Sequence, residues 1–411
     1  MAKIKAFKGI RPRADLAEQI AALPYDVYNR EEASNMVKNA PLSFLNIDRA
    51  ETGFGLEVDT YDERVYKRAH DLLWHMFDKG EFIQDEKECL YLYELEMNRH
   101  VQTGIVACSS VDDYLNNVIK KHENTRADKE EDRIRHVDSC GAQTGPIFLA
   151  YRENKALKET INEVKNNQTP VYNFISEDAV RHTVYVIEND ATIAKIVAEF
   201  DKIDATYIAD GHHRAASAVK AGLKRRKLND GRDGEYNYFL SVLFADNELQ
   251  IMDYNRIVMD LNGYSKEEFL DKIKEIVDIN GVSKDILSPK EAGQVTMYLD
   301  KTWYRLEFKE SIKNTDLVDG MDVSMLQNNI LRPILNIDDP KTNARIEFVG
   351  GIRGLEYLET RSNKFDKAVA FAMYPVSMKE LFNVADAGLL MPPKSTWFEP
   401  KLRSGLFIHE I

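Results

Sequence analysis

The sequence predicts an α+β fold, on three observations. Apolar residues at helical spacing alternate with apolar runs of strand length, and the alternation is too irregular for a doubly wound sheet. At 411 residues the chain exceeds what one hydrophobic core usually fills, so two or three subdomains are expected. Hydrophobic residues at 44% and charged residues at 30%, without a low-complexity stretch, describe a body folded throughout.

Taken in order, residues 4–10 read as a short strand, and a helix over 15–22 stops before Pro24, because a residue preceding proline is pushed out of helical geometry. Val65, Ala69, Leu72, Leu73, Met76 and Phe77 fall on one face of a helix across 58–77, which Gly80 ends. Strands at 89–97 and 101–111 flank a hairpin-like break at 98–100. The segment 120–135, KKHENTRADKEEDRIR, has hardly any apolar residues and reads as exposed or cleft-lining, between a helix at 115–119 and the buried-looking 146–150. Helices at 155–164 and 191–200 alternate with strands at 182–187 and 207–209. The helix after Asp210 runs to about Leu223, and strands follow at 238–244 and 249–254.

Beyond Asn262 and Gly263, a helix at 266–277 and strands at 294–299 and 303–308 suggest a smaller α/β subdomain. A strand at 368–373, a helix at 377–387 and a loop at 391–401 complete the chain. The expected division is a core over 1–260, the smaller subdomain over 261–345, and a segment over 346–411 that returns to the core.

The net charge of -13 opposes a nucleic-acid partner, whose phosphates are bound through Lys and Arg. The basic run KAGLKRRK at 220–227 reads as a solvated helix face. Cys89, Cys108 and Cys140 lack the spacing of a zinc site and read as reduced, mostly buried thiols. No segment resembles a signal peptide or a membrane span, so a cytoplasmic location without a membrane partner is expected; a homo-oligomer stays open.

Chemistry concentrates in four segments. In ATYIADGHHRAASAVKAG, starting at Ala205, a strand rises to a tight Asp210-Gly211 turn, and small residues then open a helix. The unpaired first-turn N–H groups and the positive end of the helix dipole attract an anion there, phosphate above all. Gly211, His212 and Arg214 are the phosphate-binding candidates, and Asp210 and His213 the catalytic ones. Asp210 is placed to cap the helix, hold a metal or accept a proton. A plain capped helix with exposed histidines is the competing reading.

The second segment holds His122, Glu123, Thr125, Arg126, Lys129, Asp132 and Arg133. Its mixture of a base and several cations is what phosphoryl transfer asks for. Glu123 is the candidate base, Arg126 and Arg133 further phosphate ligands, and His122 and Thr125 substrate ligands; a solvated charged helix is the alternative. The third, MPPKSTWFEPK at 391–401, presents Lys394, Ser395 and Thr396 to a substrate phosphate or carboxylate, unless it is a surface turn docked by Trp397 and Phe398. The fourth, LPYDV at 23–27, is a Pro-fixed turn in which Asp26 is a substrate-binding candidate.

With these segments in view the chain resembles a bacterial and archaeal family of proteins of unknown function related to the ParB/sulfiredoxin fold. The resemblance is carried, in order, by AFKGIRP at 6–12, LPYDV, PLSFLNIDRAE at 41–51, HENT at 122–125 with Lys129, Asp132 and Arg133, GPIF at 145–148, ADGHHR and MPPKSTWFEPK. It implies a ParB/sulfiredoxin-like catalytic core with additional α/β subdomains. It also implies a phosphotransferase with an alcohol acceptor, making O-phospho-L-serine from free L-serine with pyrophosphate as donor and Mg2+ as cofactor. ATP or ADP as donor stays open, although no Walker-type GxxxxGK[ST] loop occurs. Sulfiredoxin-like chemistry wants a cysteine where this chain has His212. A nucleotide-responsive ParB-like regulator and a metal-dependent phosphoester hydrolase are the alternative functions.

Overall fold

The computed structural model describes residues 1–411 and divides them into two units. Met1–Leu249 with Pro400–Ile411 form the first, and Gln250–Glu399 the second. The second unit is therefore an insertion into the first, which closes with the last residues of the chain. Both units mix helices and strands, and the α+β class stands.

In the first unit a mixed sheet runs in the order Ile119–Lys120, Thr206–Asp210, Ile147–Tyr151, Tyr238–Ala245, His100–Ser110, Leu90–Met97, Arg181–Ile187, Tyr172–Ile175, and Ile4–Lys5 also pairs with His100–Ser110. The hairpin of Leu90–Met97 and His100–Ser110 forms because Asn98 and Arg99 adopt left-handed geometry at the turn. The helices Lys155–Asn167 and Asp190–Phe200, each opened by an asparagine cap, bury Leu157, Ile161, Ile196 and Phe200 in the core of this sheet. A second cluster gathers Ile20, Phe44, Val65, Ala69 and Leu73 around the helix Glu63–Asp78.

The C-terminal segment is threaded into this unit. Ser404 bridges to Ala22, Ile408 to Ile10, and His409 pairs with Gln143. Phe407 lies 5.3 and 5.6 Å from the Tyr91 and Tyr93 rings, and burial of such a side chain contributes about 1.5–3 kcal/mol.

The second unit is built on an all-antiparallel sheet in the order Val277–Ser283, Thr302–Phe308, Gln294–Leu299, Val369–Met373, Tyr254–Val258, Ile346–Gly350. Trp303, fully buried, is the largest side chain of its core. Because Ile346–Gly350 and Val369–Met373 flank Tyr254–Val258, residues 346–373 share a sheet with 254–308. The sequence division at 260 and 345 cuts through that sheet, whose strand pairing joins residues far apart in the chain.

Several local expectations change as well. The expected helix at 115–119 is a helix at Val111–Leu115, capped by Ser110, followed by the strand Ile119–Lys120. Most of 120–135 enters a helix, Ala127–Cys140, whose Glu130, Asp132 and His136 are buried. The strand at 249–254 is two strands, Gln250–Met252 and Tyr254–Val258. The helix expected to reach 277 ends at Ile273, and Val277–Ser283 becomes an edge strand with alternating burial. All three cysteines are free and buried, and burial pushes the Cys89 thiol up to about 11 and Cys140 to about 12. No helix is long and apolar enough to cross a membrane.

Five histidines of the first unit are depressed by burial: His122 and His136 to about 4, His182 to about 3, His212 well below its ordinary value, and His409 below it. None of the nine histidines lies in 250–399, where burial instead raises Asp322 to about 6. A depressed imidazole stabilises the fold above its unfolded pKa and loses that contribution as pH falls; a raised carboxyl does the reverse. Lowering the pH from 7 to 4.5 is therefore expected to weaken amide-exchange protection in the first unit selectively. Equal weakening in both units would contradict this assignment.

Candidate functional site

The site begins with two parallel strands. Ile119–Lys120 pairs in parallel with Thr206–Tyr207, so both chains leave the sheet at the same edge. Each then turns and enters a helix, Ala127–Cys140 in one case and His212–Leu228 in the other. HENT and DGHHR, which begin at His122 and Asp210, are brought together by this pairing.

Gly211 makes the second turn with φ of 93°, a left-handed geometry that costs an L residue about 1–2 kcal/mol. A Cβ at this position would lie 3.0 Å from the Arg214 guanidinium, so the turn needs glycine sterically as well. Gly211 has no side chain with which to cap the helix, whose positive end faces the turn. Ala215, Ala216, Ser217 and Ala218 are buried. The Ser217 hydroxyl bridges the carbonyls of His213 (2.7 Å) and Glu130 (3.0 Å), tying the two helices together.

The paired histidines fasten the two turns. The His122 N–H donates to His212 Nε2 at 3.4 Å, and the Arg126 N–H donates to His213 Nε2 at 3.0 Å. The His122 and His212 rings meet edge to face, with centroids 4.5 Å apart. Burial first, and the neighbouring His122 second, push the His212 pKa down, so this ring is a neutral acceptor and adds no positive charge for a phosphate. Acceptance at Nε2 leaves the proton on Nδ1, and His212 Nδ1 lies 4.0 Å from Glu123 Oε2.

Cations surround Asp210. Its Oδ2 accepts from Arg214 Nη2 at 3.0 Å, and its Oδ1 lies 3.7 Å from Lys401 Nζ. Arg214 Nη1 also donates to the Pro146 carbonyl at 2.7 Å, which fixes the guanidinium between the turn and the GPIF segment. Glu130 is buried beneath HENT and accepts from Thr125 Oγ1 and Lys220 Nζ. Burial pushes its carboxyl up, but Lys220 and Thr125 outweigh burial and hold it below its ordinary value. The Thr125 hydroxyl is thus already engaged within the protein.

Arg133 lies deeper. It pairs with Asp132 at 2.9 Å, stacks 4.2 Å from the centroid of the Tyr25 ring, and is raised by its acidic neighbours against the effect of burial. With Arg214, Asp48 and Thr144 it lines a cavity of about 40 Å3, room for a few water molecules and too little for an amino acid. Arg126 is exposed and paired with Asp128 at 2.8 Å. Asp26 is exposed beside buried Tyr25. Lys394, Ser395 and Thr396 belong to the second unit, where Ser395 is buried and its hydroxyl donates to the Pro392 carbonyl at 2.6 Å.

Residues not singled out in the sequence complete the first unit's site. Arg49 donates to the Tyr25 carbonyl at 2.9 Å and pairs with buried Glu51 at 2.6 Å, while Thr144 donates to buried Asp48 at 3.1 Å. For Asp48, Arg49 and Glu51 the signal was the cluster of charges in NIDRAE at 46–51, which follows the apolar Phe44 and Leu45. Lys401 closes the MPPKSTWFEPK motif but belongs to the first unit. Glu123 and Asp210 are the acids at the turn that could hold a divalent cation, which needs only one or two protein carboxylates when a ligand supplies the remaining oxygens. No group of three or more His, Cys, Asp or Glu in the structure would cage a metal on its own.

No curated protein matches the chain. Among solved structures it is similar to SbnI with a C-terminal truncation from Staphylococcus aureus, with a TM-score of 0.40, 12% identity, and coverage of 74% of this chain and 87% of that one. It is also similar to a free serine kinase mutant in complex with ADP (0.35, 13%, 74% and 92%) and to a conserved hypothetical protein from Pyrococcus furiosus (0.33, 16%, 74% and 95%). Likenesses at these TM-scores assign neither substrate nor site residues to this chain. The sequence pattern of the family described as "Protein of unknown function (DUF1015)" spans residues 4–324, well over half of the chain, and the protein belongs to that family.

Proposed function

We infer that the first unit is a small-molecule phosphotransferase that acts on the hydroxyl of free L-serine, with pyrophosphate or a nucleotide as donor and magnesium as cofactor. The observation that carries this reading is the fastening of HENT onto the DGHHR turn by two main-chain-to-imidazole hydrogen bonds. It sets a carboxylate, Glu123, beside a helix N-terminus flanked by Arg214 and Lys401. Phosphoryl transfer asks chiefly for positioning and charge stabilisation, together with acceptance of the acceptor's proton. Magnesium, when bound, would neutralise charge on the transferring phosphoryl oxygens.

In this arrangement the donor phosphate meets the Gly211 turn, and Arg214 stabilises charge as it develops. Glu123 suits the role of base better than Asp210. Asp210 is committed to Arg214 and Lys401, whereas Glu123 stands beside His212. Asp210 then positions Arg214. His213, with Nε2 accepting from the Arg126 N–H, holds the HENT segment.

Incubation with L-serine, magnesium and either pyrophosphate, ATP or ADP is expected to yield O-phosphoserine, detected by mass spectrometry. Absence of product with all three donors would falsify the serine reading, and release of inorganic phosphate alone would mark water as the acceptor. Glu123→Gln is expected to lower kcat by about 100-fold or more with little effect on stability; a variant with unchanged kcat removes Glu123 as the base. Gly211→Ala is expected to cost about 1–2 kcal/mol in a denaturant titration and to raise KM for the donor, because the added Cβ displaces Arg214. An unchanged KM would place the donor elsewhere.

A further inference from the structure

The second unit contains a cavity of about 440 Å3, within the range of small-molecule pockets. One wall is Arg256, on the strand Tyr254–Val258 and only 3% exposed. Its guanidinium donates to the carbonyls of Tyr254 and Lys394 and lies 5.4 Å from the centroid of the Phe348 ring. Those partners are uncharged. Elsewhere in the chain Arg11, Arg49, Arg133, Arg214 and Arg403, each largely buried, lie against Asp85, Glu51, Asp132, Asp210 and Asp178. Arg256 has no such acid, and burial pulls its pKa down to about 10.

A buried cation without a counter-charge is costly, and a guanidinium carries more N–H donors than the two carbonyls use. A second group in the same cavity is also unsatisfied. Ser324 is 3% exposed, and its hydroxyl has no hydrogen-bond partner. Gln327, on the same wall, spends its side-chain N–H on the Ile337 carbonyl at 2.7 Å. At the exposed rim stand Arg332 and Lys341 together with Asp338 and Asp339.

We propose that the second unit binds a small organic anion in this cavity, with the ligand's carboxylate or phosphate group held by Arg256 and Ser324. The oxyanion supplies the missing counter-charge and an acceptor for the Ser324 hydroxyl. The mixed charges of the rim suit a ligand that carries further polar groups outward. The site is independent of the phosphotransferase reading, since all its residues lie in 250–399.

Calorimetric titration of the full chain carrying Arg214→Ala, which removes the phosphate-binding arginine of the first unit, with inorganic phosphate and, separately, succinate tests the proposal and distinguishes the two oxyanion sources. Saturable binding of at least one probe is expected. Ser324→Ala should weaken it about tenfold. Asn328→Trp, which fills the cavity mouth from an exposed position, should abolish it, as should Arg256→Met. If Arg256→Met does not fold, the Ser324 and Asn328 variants decide. Failure of both probes to saturate, or binding that survives Asn328→Trp, overturns the proposal.

Discussion

The first unit's site depends on a very short piece of parallel sheet. Two residues, Ile119 and Lys120, pair with Thr206 and Tyr207, and every close contact between HENT and DGHHR follows from that register. Parallel pairing makes both chains emerge at the same edge, and both then enter helices, so two helix N-termini share one location. Main-chain donors of the HENT segment then reach the two imidazoles. A one-residue slip would turn Lys120 and Tyr207 to opposite faces and separate the two turns.

Charge is handled in the first unit by pairing and neutralisation. Asp132 with Arg133 and Asp210 with Arg214 place acids against well-buried guanidiniums, and buried Glu130 takes its cation from the exposed Lys220. Breaking one partner of such a pair costs far more than the pair contributes, because it leaves a buried charge uncompensated. The buried imidazoles follow the other route and give up their proton. The His122 and His212 rings therefore serve as shaped, polar but uncharged packing elements, which lets them approach to 4.5 Å without repulsion. Beside Asp210 the positive charge comes from Arg214 and Lys401.

The insertion of Gln250–Glu399 explains why the last residues matter so much to the first unit. The chain leaves after Leu249, completes an independent antiparallel sheet, and re-enters at Pro400. From there Lys401 reaches Asp210, Arg403 reaches Asp178, and Phe407 packs on Tyr91 and Tyr93. Closure by a terminal segment joins a motif at one end of the sequence to a turn near its middle.

Much of this was legible in the residues. The strand, glycine turn and small-residue helix of ATYIADGHHRAASAVKAG were readable because each step obeys a local rule: apolar strand, left-handed glycine, compact helix start. The long helix Glu63–Asp78 and the hairpin around Asn98 and Arg99 were readable for the same reason. The helix Ala127–Cys140 was not recognised as a packed element, because its buried positions are Glu130, Asp132 and His136, and charged residues go inside only where distant partners await them. The sequence by itself determined the α+β class, the Asp210-Gly211 turn and the residues fit for phosphate chemistry, since propensity and side-chain type are local properties. Only the tertiary structure decided that His212 and His213 accept hydrogen bonds from the His122 and Arg126 N–H groups, that Lys401 faces Asp210, and that residues 346–373 share a sheet with Tyr254–Val258. Strand register and the solvation of a buried charge are set by neighbours remote in sequence, and the chain's linear order does not carry them.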